Sequence, residues 1–133
     1  MFSDYIKEVN EIVETISEPV IAKAIMVIDQ ISKSKGNIFI IGNGGSAAIA
    51  SHFAIDLTKS GHRRNNPIKA FSLVDNTPII TATANDIGYK EVFSWQINQF
   101  GNTGDLLIAI SSSGNSDNII ETIRFAKQIG MLS

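Results

Sequence analysis

The sequence has no cysteine, so disulfides, thiolate zinc sites and iron–sulfur clusters cannot be built from this chain. It also lacks an excess of positive charge. With 11 basic against 13 acidic residues and a formal charge of −2, no summed positive field is available to hold phosphodiester backbones, and nucleic acid is set aside as a partner. No G-x-x-x-x-G-K-[ST] segment occurs, which excludes a P-loop nucleotide hydrolase. No stretch approaches the ~18 uninterrupted apolar residues of a membrane span. The opening MFSDYIKEVNEIVE has neither a basic segment nor a continuous apolar one, unlike a secretory signal. The expectation is a cytoplasmic chain with no membrane partner. What is present suits a packed core: 44% hydrophobic and 18% charged residues in a length of 133, about one domain's worth.

Phe2, Ile6, Val9, Ile12, Val13 and Ile16 recur at steps of three and four, one apolar stripe of a helix. Ser17-Glu18-Pro19 interrupts, and Val20, Ile21, Ala24, Ile25, Ile28 and Ile31 resume the spacing until Lys35-Gly36. Residues 2–35 therefore form an α-hairpin or a kinked helix. Its stripes either cover the core or make a helical subunit interface. Residues 37–41, NIFII, then read as a buried parallel strand. A helix over 47–59 follows, then a polar, basic loop over 61–67 in which His62, Arg63 and Arg64 are solvated, and a second strand over 68–74. Thr77-Pro78 reads as an N-cap and helix-opening proline. A short helix over 79–84, a turn over 85–88, a helix over 91–100, a strand over 105–110 and a helix over 119–129 complete the alternation. Residues 130–133 look like the opening of a fourth strand. This is an α/β fold, a parallel sheet with helices on both faces in three layers, behind an N-terminal helical hairpin. One domain spans 1–133, the α/β part 37–133. Its narrow sheet suggests a domain incomplete at the C-terminus or finished by partner chains.

Two loops stand at strand-to-helix turns, where open parallel sheets bind ligands. The first, GNGGSA, is formed by Gly42, Asn43, Gly44, Gly45, Ser46 and Ala47. Its glycines let backbone N–H groups approach a ligand, and the following helix start attracts anions. The second, SSSGNS, brings the hydroxyls of Ser111, Ser112, Ser113 and Ser116 to an equivalent turn. Hydroxyls and free backbone donors suit the oxygens of a phosphate monoester. Tight turns and N-caps are the structural alternative for each loop, although two such loops on one sheet edge favour a ligand. The first loop also fits G-x-G-x-x-A, with Asp75 as the ribose-binding acid, but that acid lies farther along than the roughly 20 residues usual for a dinucleotide site.

His52 and Asp56 are four residues apart on the helix leaving the glycine loop, so they share a face. Such a pair can share a proton or supply two metal ligands, or simply make a surface contact. Asn85-Asp86 either form part of a turn or offer an amide and a carboxylate to substrate hydroxyls.

Taken together, GNGGSAA with HFAIDL after it, TATANDIGYKEVF, and GDLLIAISSSGNSDNI resemble the sugar isomerase (SIS) domain, and within it the phosphoheptose isomerases, over about residues 2–133. The resemblance implies the flavodoxin-like SIS fold and an aldose–ketose isomerase. Such an enzyme converts sedoheptulose 7-phosphate to D-glycero-manno-heptose 7-phosphate for cell-envelope polysaccharide such as lipopolysaccharide. It implies a cytoplasmic homotetramer with active sites between subunits. Asn43, Gly44 and Gly45, with Ser46 beside them, would meet the substrate, Asn85 and Asp86 would bind sugar hydroxyls, and Ser111, Ser112, Ser113 and Ser116 would hold the phosphate. His52 would be a zinc ligand in relatives that carry one zinc per site. Asp56 occupies the position of the family's glutamate, both metal ligand and catalytic base.

Two departures stand against full activity. Asp56 is one methylene shorter than that glutamate, and misplacement by about an ångström can cost about 100-fold. The family's catalytic histidine and a glutamine ligand lie in a helix beyond residue 133. The chain alone is therefore expected to be inactive, and a non-catalytic SIS module that binds a sugar phosphate or a partner protein is the alternative.

Overall fold

The computed structural model describes residues 1–62 and 66–133. Arg63 and Arg64, expected in a basic loop, lie outside the described residues, as does the His62 side chain.

Two helices come first, α1 (Phe2–Glu14) and α2 (Glu18–Lys33). The break between them follows from Pro19, which occupies the first turn of α2, where its missing N–H costs nothing. The chain then alternates: β1 (Asn37–Gly42), α3 (Gly45–His62), β2 (Lys69–Ser72), α4 (Thr77–Asp86), a 3₁₀ turn (Tyr89–Glu91), α5 (Ser94–Phe100), β3 (Leu106–Ile110) and α6 (Asp117–Gln128). The three strands are parallel in the order β2-β1-β3. Leu132 makes an isolated parallel bridge to Leu106.

Side chains alternate across β1, and each face meets different helices. Ile38 and Ile40 pack with Ile31 of α2, Ala50 and Ala54 of α3, and Leu106. Phe39 and Ile41 pack with Leu73, Leu107, Ile97 of α5, and Ile119 and Ala126 of α6. The expected helices on both faces are thus observed. Ile38, Ile40 and Ile41 are each 0% exposed, and burying each contributes about 1.5–3 kcal/mol.

Several local expectations change. The helix after the glycine loop extends through Gly61 and His62, past the loop that the composition of 61–67 suggests. The cap of α4 is Asn76, not Thr77, because the Asn76 side-chain oxygen accepts from the Ile79 N–H at 3.2 Å. Asn85 and Asp86 are the last two residues of α4 and not a turn. The helix ends after them, where the Ile87 and Gly88 N–H groups both donate to the Thr83 carbonyl, at 2.9 and 3.0 Å. The helix expected over 91–100 divides into the 3₁₀ turn and the shorter α5. The apolar stripe of α1 covers no core: the helix has no buried residue, and Phe2 and Ile12 are 78% and 65% exposed. Only the C-terminal half of α2 reaches the core, through Val27, Ile28 and Ile31.

Candidate functional site

The glycine and serine loops leave the carboxyl edge of the sheet from adjacent strands, β1 and β3. The helices they feed diverge to opposite faces, α3 to one and α6 to the other. Such divergence opens the crevice in which α/β sheets hold ligands.

Gly42 ends β1 where an added Cβ would stand 2.5 Å from the Ser46 carbonyl oxygen. Only glycine lets the first turn of α3 come that close. Gly44 then adopts φ 54, the left-handed conformation that glycine takes without a Cβ penalty. The turn closes when the Ser46 and Ala47 N–H groups donate to the carbonyls of Asn43 and Gly44, at 2.9 and 3.0 Å. The amides of Gly44 and Gly45, both exposed, find no acceptor among the described residues. Such orphan donors at a helix start favour an anion.

In the serine loop, Ser111 Oγ accepts from the Gly114 N–H at 3.1 Å and Ser113 Oγ from the Asn115 N–H at 3.3 Å. The two hydroxyl oxygens stand 3.5 Å apart. A hydroxyl that accepts from backbone still has its own proton to donate. Ser116 occupies the N-cap of α6, yet its hydroxyl makes no capping bond. Capping, the common use of serine at such a turn, does not engage it. Ser112 and Asp117 are exposed.

The two loops are joined by side chains. Asn43 Nδ2 donates to Asn118 Oδ1 at 2.8 Å, and Asn118 Nδ2 donates back to Asn43 Oδ1 at 2.9 Å. The Tyr89 hydroxyl donates to the same Asn43 oxygen at 3.0 Å. Sequence reasoning missed both Asn118 and Tyr89. Asn118 reads as an ordinary polar residue of a first helical turn and Tyr89 as part of a turn after Gly88. The burial of Asn118, 3% exposed, is the signal that sets it apart, and burial of a polar residue is not visible in a single sequence.

The other candidate residues lie apart from these loops. The Asn85 amide donates to Asp86 Oδ1 at 2.8 Å. Asp86 lines a cleft of about 390 Å³ with Thr83, Ile87 and Trp95. Among the described residues no hydrogen bond connects Asn85 or Asp86 to either loop. His52 Nε2 stands 3.1 Å from Asp56 Oδ2, and the two side chains are 77% and 60% exposed. At 1.5 Å of rise per residue they lie about 10 and 16 Å along α3 from Gly45. They border a shallow cleft of about 440 Å³ with Ala48, Ile49 and Phe53. Zinc takes three or four protein ligands, and no group of three or more candidate metal-binding side chains exists among the described residues. His52 and Asp56 do not by themselves make a zinc site. Asp75, the acid of the dinucleotide alternative, already accepts a hydrogen bond from the Ser51 hydroxyl.

The SIS domain family matches residues 2–132. A probable phosphoheptose isomerase of Thermoplasma acidophilum is 47% identical over 113 residues, 83% of this chain and 62% of that protein. A phosphoheptose isomerase of Helicobacter pylori is 40% identical over 114 residues, 86% of this chain and 59% of its own length. The chain therefore spans about three fifths of these curated relatives. Among solved structures, the phosphoheptose isomerase of Neisseria gonorrhoeae superposes with a TM-score of 0.86 at 37% identity, over 98% of this chain and 67% of that one. One from Francisella tularensis gives 0.89 at 28% identity, over 98% and 70%. With the family match running almost end to end, and with these relatives sharing both sequence and fold, the chain belongs to the SIS domain family.

Proposed function

We propose that this chain carries the sugar-phosphate site of a phosphoheptose isomerase, acting on sedoheptulose 7-phosphate by enediol proton transfer. The observation that carries this reading is the meeting of two donor-rich loops over one crevice, tied together through Asn43 and Asn118. The hydroxyls on 111–116, and the Gly44 and Gly45 amides that find no acceptor among the described residues, suit a phosphate and the oxygens next to it. Asn85 and Asp86 are the candidates for sugar hydroxyls. Asp56 is the candidate base for the proton α to the carbonyl, with His52 Nε2 3.1 Å from its carboxylate. No step is assigned to a metal, because two ligands do not make a zinc site. Heptose and lipopolysaccharide biosynthesis in the cytoplasm is the setting this activity suits.

Incubation of the protein, extended to the length of the phosphoheptose isomerases it resembles, with sedoheptulose 7-phosphate in deuterated water is expected to place deuterium on the carbon next to the carbonyl and to yield the aldose, and residues 1–133 alone to yield little or none. Binding by the extended protein without exchange and without aldose would overturn the isomerase assignment in favour of a non-catalytic sugar-phosphate module.

The reading includes a homotetramer. Its support is the exposure of Phe2, Val9, Ile12, Val13, Val20 and Ile25 along α1 and α2, and of Ile49 and Ile55 on the α3 face that bears His52 and Asp56. Exposed apolar stripes on consecutive helices are what an interaction site presents. Light scattering is expected to give four times the 14.4 kDa chain mass, and Ile12→Glu to shift the protein to smaller species. A wild-type mass equal to one chain would refute the tetramer.

A further inference from the structure

The side chains joining the two loops have a role that the proposed activity does not itself assign, and the inference drawn from them rests on the sugar-phosphate reading above. Asn43 is the first residue after β1, and Asn118, 75 residues later, is in the first turn of α6. A primary amide has two acceptor lone pairs and two donor hydrogens. The Asn43 oxygen accepts from Asn118 Nδ2 and from the Tyr89 hydroxyl, so both lone pairs are taken. Its nitrogen gives one hydrogen to Asn118 Oδ1 and keeps one. Asn43 can therefore offer a ligand a donor but no side-chain acceptor.

We propose that Asn118 is a positioning residue, the buried half of an amide clasp that sets the glycine loop against the serine loop at the spacing a sugar phosphate bridges. Tyr89 is its outer lock. A ligand that touches only the serine loop needs no such spacing; one that reaches from its phosphate to the glycine loop does. Inorganic phosphate and sedoheptulose 7-phosphate thus separate positioning from simple phosphate capture. The corner around Asn43 is also a donor-only surface, suited to carbonyl, phosphate or deprotonated oxygens and not to a hydroxyl seeking an acceptor.

Calorimetry on Asn118→Ala is expected to show about a fivefold loss of affinity for sedoheptulose 7-phosphate and less than a twofold loss for inorganic phosphate. Tyr89→Phe leaves the amide pair intact and removes one hydrogen bond from a side chain more than half exposed, so it keeps the fold. It is expected to lose about twofold for the sugar phosphate alone. Equal losses for both ligands, or none for either, would overturn the clasp. If the wild-type protein bound neither ligand, the sugar-phosphate reading would fall, and the clasp would be judged by amide hydrogen exchange. Asn43→Ala is expected to speed exchange in residues 111–118, and Asn118→Ala in residues 43–46, by about tenfold. Exchange altered only in the loop that carries the substitution would refute it.

Discussion

Replacing Ser113 and Ser116 together by alanine is expected to lower affinity for sedoheptulose 7-phosphate at least about tenfold. Hydrogen bonds to a charged partner are worth roughly 1.5–3 kcal/mol each, and each 1.4 kcal/mol is a decade of affinity. Two lost donors would exceed that figure if water did not enter the gap and restore part of it. Unlike Asn118→Ala, this variant should weaken inorganic phosphate just as much, because both serines act on the phosphate itself. Thermal stability should barely move. Ser116 makes no capping bond, and the one backbone N–H that Ser113 accepts belongs to exposed Asn115, which water can satisfy. Unchanged affinity with a large loss of stability would show that these hydroxyls serve the fold, and the phosphate site would have to be sought elsewhere.

The largest effect on stability is expected at Asp105, a carboxylate 3% exposed at the opposite edge of the sheet. Its Oδ1 accepts from the Asn37 N–H at 2.8 Å, and its Oδ2 from the Asn102 N–H at 2.9 Å and the Asn37 side-chain amide at 3.2 Å. It thereby staples the start of β1 to the turn that launches β3. Asp105→Ala would take the acceptor from two donors on half-buried Asn37 and one on exposed Asn102, and a donor left unpaired costs about 1–3 kcal/mol where water does not replace the acceptor. A loss of about 2–4 kcal/mol is expected in urea unfolding, with a fall in Tm of about 10 °C. Asp105→Asn keeps one acceptor oxygen and should lose about half as much. A loss below about 1 kcal/mol for the alanine variant would mean that the turn rearranges to find other acceptors. Ligand affinity, measured below the melting transition, should be nearly unchanged in both.

The alternation of helices and strands was legible because its signals are local. Residues 37–41 and 105–110 are short apolar runs closed by glycine- or serine-rich turns, and both became neighbouring strands. The helix faces of α3 and α6 were legible for the same reason: Ala50, Ala54, Ile119 and Ala126 recur at helical spacing and are buried. The signals that failed were choices between adjacent residues or between distant ones. Asn76 and Thr77 are both good caps, and only the geometry of the bend after β2 decides for Asn76. Nothing local distinguishes a stripe that covers this chain's core from one left facing outward, so α1 could be drawn as a helix and not assigned a neighbour. The clasp was invisible for a stronger reason. It joins residues 75 positions apart, and such a contact exists only once β1 and β3 lie side by side.

That last fact ties ligand binding to the unfolding equilibrium. The glycine loop and the serine loop are each only a turn while β1 and β3 are apart, and neither alone presents the donors that the crevice presents. A ligand spanning both therefore binds the assembled sheet and not its fragments or the unfolded chain. By mass action it stabilises the assembled form by about 2.7 kcal/mol at a concentration of 100 times its Kd. The cost of closing the long loop between β1 and β3 is met in part by whatever occupies the crevice. In a protein whose first helix buries nothing of its own, the sugar phosphate of the proposed reading would itself be a structural element of the sheet edge, holding shut the pairing of β1 with β3 for as long as it stays bound.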